Sequence, residues 1–87
     1  MKTFEYEITD ELGIHARPAG ELVKEVKKYE SKITITSKEK DKTVGADKLM
    51  MVMSLGVKKG TTVVITAEGA DEDAAIAGIE QFLKDNL

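Results

Sequence analysis

Apolar residues along this chain keep changing their spacing, from every second position to every third or fourth and back, within 87 residues. A period of two belongs to a half-buried strand and a period near 3.6 to an amphipathic helix, so the order of the switches gives the order of elements. Phe4, Tyr6 and Ile8 alternate with Thr3, Glu5 and Glu7, a first strand. Ala19, Leu22, Val23, Val26 and Tyr29 share one face of a helix running from Ala16 to about Tyr29, and Pro18 falls in its first turn, where a missing N–H costs no intrahelical bond. Ile33 and Ile35 alternate with Thr34 and Thr36 in a strand over Lys32 to Ser37, and after a polar turn at Lys38 to Asp41 a shorter strand surrounds Val44.

Leu49 to Leu55, rich in leucine and methionine and closed by Gly56, is expected to be a short helix. Beyond the Lys59-Gly60 turn, Val63, Ile65 and Ala67 share one side of a strand over Thr61 to Glu68. A last helix is expected to open on Asp71 as N-cap, with Glu72 and Asp73 complementing its dipole and Ile76, Ile79 and Leu83 forming a stripe assisted by Ala75 and Phe82. The order β-α-β-β-α-β-α gives a sheet too small to bury both faces. The predicted class is therefore α+β: an open-faced sandwich, a four-stranded antiparallel sheet with three helices on one face, built as a single domain over residues 1–87.

Composition narrows the chemistry. Without cysteine there is no disulfide, no thiolate nucleophile and no cysteine metal site, and nothing argues for an oxidising compartment; a cytoplasmic location is the default expectation. A net charge of −3 argues against a general nucleic-acid footprint, and no apolar run is long enough for insertion in a membrane. With one histidine no metal-ligand spacing arises, and no glycine-rich nucleotide motif is present, so neither a metal nor another cofactor is expected.

That histidine, His15, stands where a loop enters the first helix, in Gly13-Ile14-His15-Ala16-Arg17-Pro18-Ala19. Neutral imidazole keeps an available lone pair near neutral pH because its reference pKa is about 6.5. The helix start at Ala16 to Pro18 offers unpaired N–H groups and partial positive charge, and Arg17 adds a guanidinium fork suited to phosphate oxygens. The dipole contributes roughly 0.3 to 2 kcal/mol and a charge-assisted hydrogen bond about 1.5 to 3 kcal/mol, enough to hold a phosphoryl group without trapping it. On spacing alone, a surface histidine beside a solvated arginine in a domain without phosphoryl chemistry is the commoner arrangement, because a His-x-Arg pair is frequent.

The segment Gly13 to Ala19 resembles the active-site signature of the HPr family, the histidine-containing phosphocarriers of the bacterial phosphoenolpyruvate-dependent sugar phosphotransferase system. Leu49-Met50-Met51-Val52-Met53-Ser54-Leu55-Gly56 resembles that family's short second helix, and Gly69-Ala70-Asp71-Glu72 its entry into the last helix. The resemblance implies a stoichiometric carrier, not an enzyme. His15 would take phosphate on Nδ1 from phosphorylated enzyme I and pass it to IIA domains of sugar permeases, with Arg17 neutralising the charge.

It also implies a docking surface of Ala16, Gly20, Lys24, Lys27, Leu49, Met50, Met53 and Ser54, on a protein acting as a monomer. Adjacent Met50 and Met51 diverge by ~100° on a helix, so at least one should be exposed, whereas Val52 and Leu55 should be core. Many Gram-positive members carry a regulatory serine where this chain has Lys48, which a serine kinase cannot phosphorylate; Asp47 is expected to cap the short helix in its place. Leu12 and Gly20 stand where small polar residues are frequent. A regulatory module of the same type, controlling a regulator or enzyme instead of feeding transport, is the alternative role.

Overall fold

A computed structural model describes all residues, 1–87. The elements are β1 (Lys2–Glu7), α1 (Ala16–Val26), β2 (Lys32–Ser37), β3 (Lys42–Gly45), α2 (Leu49–Ser54), β4 (Thr62–Glu68) and α3 (Glu72–Asn86), in the expected order. The strands form one antiparallel sheet in the order β1-β4-β2-β3. Its register aligns Phe4, Ile65, Ile35 and Val44 in one row across all four strands, facing the helices. Val63, Ala67, Ile33 and the half-buried Tyr6 extend that apolar face.

The helices lie together on this face, α1 between α2 and α3, with α3 against β1 and β4 and α2 near β3. Ile8, Leu22, Ile35, Val52, Leu55, Ile65, Ile79 and Leu83 form the fully buried centre. Burying each such side chain contributes about 1.5 to 3 kcal/mol. The opposite sheet face carries threonines, two pairs of which link strands through their hydroxyls: Thr3 with Thr66 at 3.0 Å and Thr36 with Thr43 at 2.7 Å.

Several local expectations need correction. α1 ends at Val26, because Lys28 and Tyr29 turn their N–H groups to Glu25 and Val26 in tight three-residue bonds of 3.2 Å. Tyr29 still packs on the core from outside the helix, its hydroxyl donating to Glu25 at 3.1 Å, and burial with that carboxylate pushes the phenol's pKa up. Ile8 lies past the end of β1, yet is 1% exposed, and its N–H reaches the Thr61 carbonyl, which itself precedes β4. On α3 the buried row is Ala75, Ile79 and Leu83, spaced four apart; Ile76 and Phe82 flank it half-buried.

Asp71 occupies the N-cap position of α3 but does not cap it with its side chain. The carboxylate instead accepts from the Glu30 and Ser31 N–H groups, both at 2.9 Å, and from the Ser31 hydroxyl, pinning the α1–β2 turn to the start of α3. Those bonds, the Ser31 hydroxyl's first, hold its pKa below the ordinary carboxylate value. Asp47 does not cap α2 either: Lys48 is the N-cap residue, without a side-chain capping bond.

Candidate phosphoryl-transfer site

The loop between β1 and α1 is shaped at both ends by backbone contacts. The Leu87 carbonyl accepts from the Thr9 and Asp10 N–H groups and, at 2.9 Å, from the Thr9 hydroxyl, tying the loop to the end of α3. Asp10 then folds the loop back, its carboxylate accepting from Leu12 N–H at 2.8 Å and its carbonyl from Gly13 N–H at 3.0 Å. Gly13 sits at φ +66°, pressed against the backbone of Val57 and Lys58, which leaves no space for a Cβ. Ile14 follows with its N–H on the Val57 carbonyl at 3.1 Å and its side chain 6% exposed. His15 is thereby delivered to the helix start from a loop fixed on two sides.

His15 is the N-cap residue of α1, extended at φ −98°, ψ −175°, half-buried, and its side chain makes no capping bond. Its carbonyl accepts from Ala19 N–H at 2.9 Å. The N–H groups of Ala16 and Arg17 have no partner, and Pro18 has none to offer, so two donors stand free at the helix start that His15 caps. Pro18 is buried and fixes the first turn, while Ala16 is exposed with a side chain too small to screen the opening.

A cleft of about 230 Å³ opens beside the ring, lined by Asp10, His15, Arg17, Pro18, Glu21, Asp85 and Asn86. Arg17 lines it with a side chain that is 85% exposed, its Nε 3.8 Å from the Glu21 carboxylate one turn along α1. The acidic members were not anticipated from the sequence. Glu21, four residues after Arg17 on one helix, could have been found from that spacing. Asp85 and Asn86 arrive only because α3 packs against α1 with its last turn beside the loop, which no local pattern encodes.

The docking residues inferred from resemblance fall on α1, at its C-cap Lys27 and on the neighbouring α2. Ala16, Lys24 and Lys27 are exposed and Gly20 half-exposed, all on the side of α1 away from its buried row. Nothing lies within 4 Å of where a Gly20 Cβ would be, so the helix carries a shallow dip there. On α2, Leu49 is 41%, Met50 76%, Met51 43% and Met53 39% exposed, so all three methionines face solvent while Val52 and Leu55 are fully buried. Ser54 is exposed, its hydroxyl donating back to the Met51 carbonyl at 2.7 Å. Lys48 is exposed at the start of α2, and Leu12, 70% exposed, adds an apolar side chain to the histidine loop.

Residues 2–85 match the family model described as PTS HPr component phosphorylation site. The chain is 44% identical over 85 residues to the phosphocarrier protein HPr of Mycoplasma capricolum, spanning 98% of this chain and 93% of that one. The solved histidine-containing phosphocarrier protein of a Mycoplasma superposes with a TM-score of 0.91 at 43% identity, covering 97% of this chain and 93% of that chain. An HPr from Thermoanaerobacter tengcongensis reaches 0.91 at 38% identity over 98% and 93%. A full-length match in sequence, the same arrangement of four strands and three helices, and a lone histidine at a helix start together place this chain in the HPr family of phosphocarrier proteins of the phosphotransferase system.

Proposed function

We propose that this protein accepts a phosphoryl group on His15 from phosphorylated enzyme I and hands it to IIA domains of sugar permeases, acting as a monomer. The observation that carries the reading is the pair of unpartnered N–H groups, Ala16 and Arg17, at the positive end of α1 that His15 caps. Nδ1 supplies the electron pair of the new N–P bond while the bond to the donor breaks. The transferred oxygens then find two backbone donors already oriented, plus a guanidinium that swings in from Glu21. Outward transfer reverses the same steps, with the acceptor supplying the attacking atom and imidazole leaving as the neutral base.

The exposed methionines favour a surface that serves more than one partner, because thioether side chains repack against different shapes. Lys24, Lys27 and Lys48, without a carboxylate partner at ion-pair distance, would steer acidic patches toward it.

Incubation with enzyme I and phosphoenolpyruvate should give one acid-labile, base-stable phosphate per chain. His15→Ala should abolish it. Arg17→Ala should leave the fold intact and slow transfer about 10- to 100-fold, the equivalent of one charge-assisted contact. Phosphate retained by His15→Ala refutes the site, and failure to pass phosphate to any of a panel of IIA proteins refutes the transport role.

A further inference from the structure

The cleft beside His15 is not the cationic cradle that a phosphate site usually presents. Its lining includes three carboxylates, on Asp10, Glu21 and Asp85, and one guanidinium, on Arg17. No lysine or arginine lies within ion-pair distance of Asp10 or Asp85. The Asp10 carboxylate is committed to Leu12 N–H and that of Asp85 to the Gln81 amide, and neither bond removes the negative charge. Glu21 differs from both, because its partner is Arg17 itself, at 3.8 Å, and because both side chains are free enough to separate, 85% and 47% exposed.

We propose that Glu21 is a tuning and positioning residue for the carrier: it draws the Arg17 guanidinium off the histidine in the unphosphorylated protein and raises the transfer potential of the phosphorylated one. The inference rests on phosphoryl transfer at His15. A phosphoryl group carrying about 1.5 to 2 negative charges competes with Glu21 for the guanidinium, and engages it fully only by drawing it away from that carboxylate. Once it does so, the freed carboxylate stands one helical turn away as an uncompensated like charge. The bound state therefore loses part of what the guanidinium gives it, and the group leaves more readily. Asp85 adds to the same repulsion from α3. No covalent role is assigned to either carboxylate: the N–P bond forms and breaks at His15 alone.

The charges act across solvent-exposed space, so the effect is modest and screened by salt. Glu21→Gln keeps shape and helix propensity while removing the charge, and should shift the equilibrium with phosphorylated enzyme I toward phosphorylated carrier by about two- to fivefold at low salt. The same variant should pass phosphate to a IIA protein more slowly by a similar factor. Both differences should shrink toward unity at about 1 M salt, where the Debye length is about 3 Å, and Glu21→Asp should restore most of the wild-type behaviour. A salt-dependent equilibrium shift is a readout that loss of helix stability would not produce.

If wild-type protein is not labelled by enzyme I at all, the carrier function fails first. If the wild type is labelled and Glu21→Gln leaves the equilibrium unchanged, or moves it toward free carrier, the role of Glu21 is refuted while the carrier function stands.

Discussion

Replacing Gly13 by alanine puts the support of the histidine loop to the test. At φ +66° an L-residue with a Cβ pays about 1 to 2 kcal/mol. The added methyl has nowhere to go, because the Val57 carbonyl oxygen stands inside contact distance and the Lys58 Cα lies 2.7 Å from the Cβ position. Both obstacles are backbone, so relief requires the loop and the segment after α2 to part. Parting breaks the Ile14 to Val57 hydrogen bond, worth about 1 kcal/mol, and exposes part of the Ile14 side chain. The sum is a destabilisation of about 2 to 4 kcal/mol, or roughly 8 to 32 °C in Tm at 4 to 8 °C per kcal/mol for a domain of this size.

Urea melts of the variant, beside Gly20→Ala as a control, would measure it. Gly20 is inside α1 with open space around it, so alanine there should stabilise by about 0.5 to 1 kcal/mol. Because the strain falls on the residues that deliver His15, Gly13→Ala should also slow phosphorylation at temperatures where it remains folded. A Gly13→Ala protein within 0.5 kcal/mol of wild type and phosphorylated at the same rate would refute the view that this close approach holds the site.

The acid side of the stability profile should depend on Asp71. Its folded pKa is depressed below the unfolded value, so its contribution is present above that value and is lost as pH falls through the folded one. Tm followed from pH 5 down to pH 2 should fall less steeply for Asp71→Asn than for wild type, and parallel curves would contradict the pinning of the α1–β2 turn. Met50, 76% exposed, should be replaceable by alanine with a stability change within about 0.5 kcal/mol. Its affinity for enzyme I should nevertheless drop about 5- to 30-fold, as for the loss of an apolar interface anchor, and calorimetric titration showing equal affinity would remove Met50 from the docking surface.

The elements themselves were legible because this chain obeys period rules with few exceptions: Ile33 and Ile35, Val63, Ile65 and Ala67, and the Leu22 to Val26 row all face the core as their spacing demands. Boundaries were less legible. Tyr29 fits the helical period of α1 and is packed on the core, so apolar spacing could not reveal that the backbone had already tightened out of the helix. The placement of β4 between β1 and β2 depends on long-range pairing, which no local pattern specifies.

At the site, His15, Ala16 and Pro18 were placed from local grammar alone, since a proline in the first turn fixes where a helix begins. The direction of Arg17 was not, because a long side chain at a helix start has several partners within reach and Glu21 is the nearer anion. Asp71 shows a similar competition. Its position predicts a cap, but the turn at Glu30 and Ser31 presents two free amides and a hydroxyl, and the carboxylate goes where it satisfies more donors.

Crowding all three helices on one side leaves the threonine-studded sheet surface on the opposite face from the helix that His15 caps. Since the chain has no cysteine of its own, a single Thr36→Cys thiol on that far side could carry a fluorophore or an immobilising linker. The phosphorylated and free carrier could then be weighed or watched one molecule at a time, without the tag touching the transfer surface.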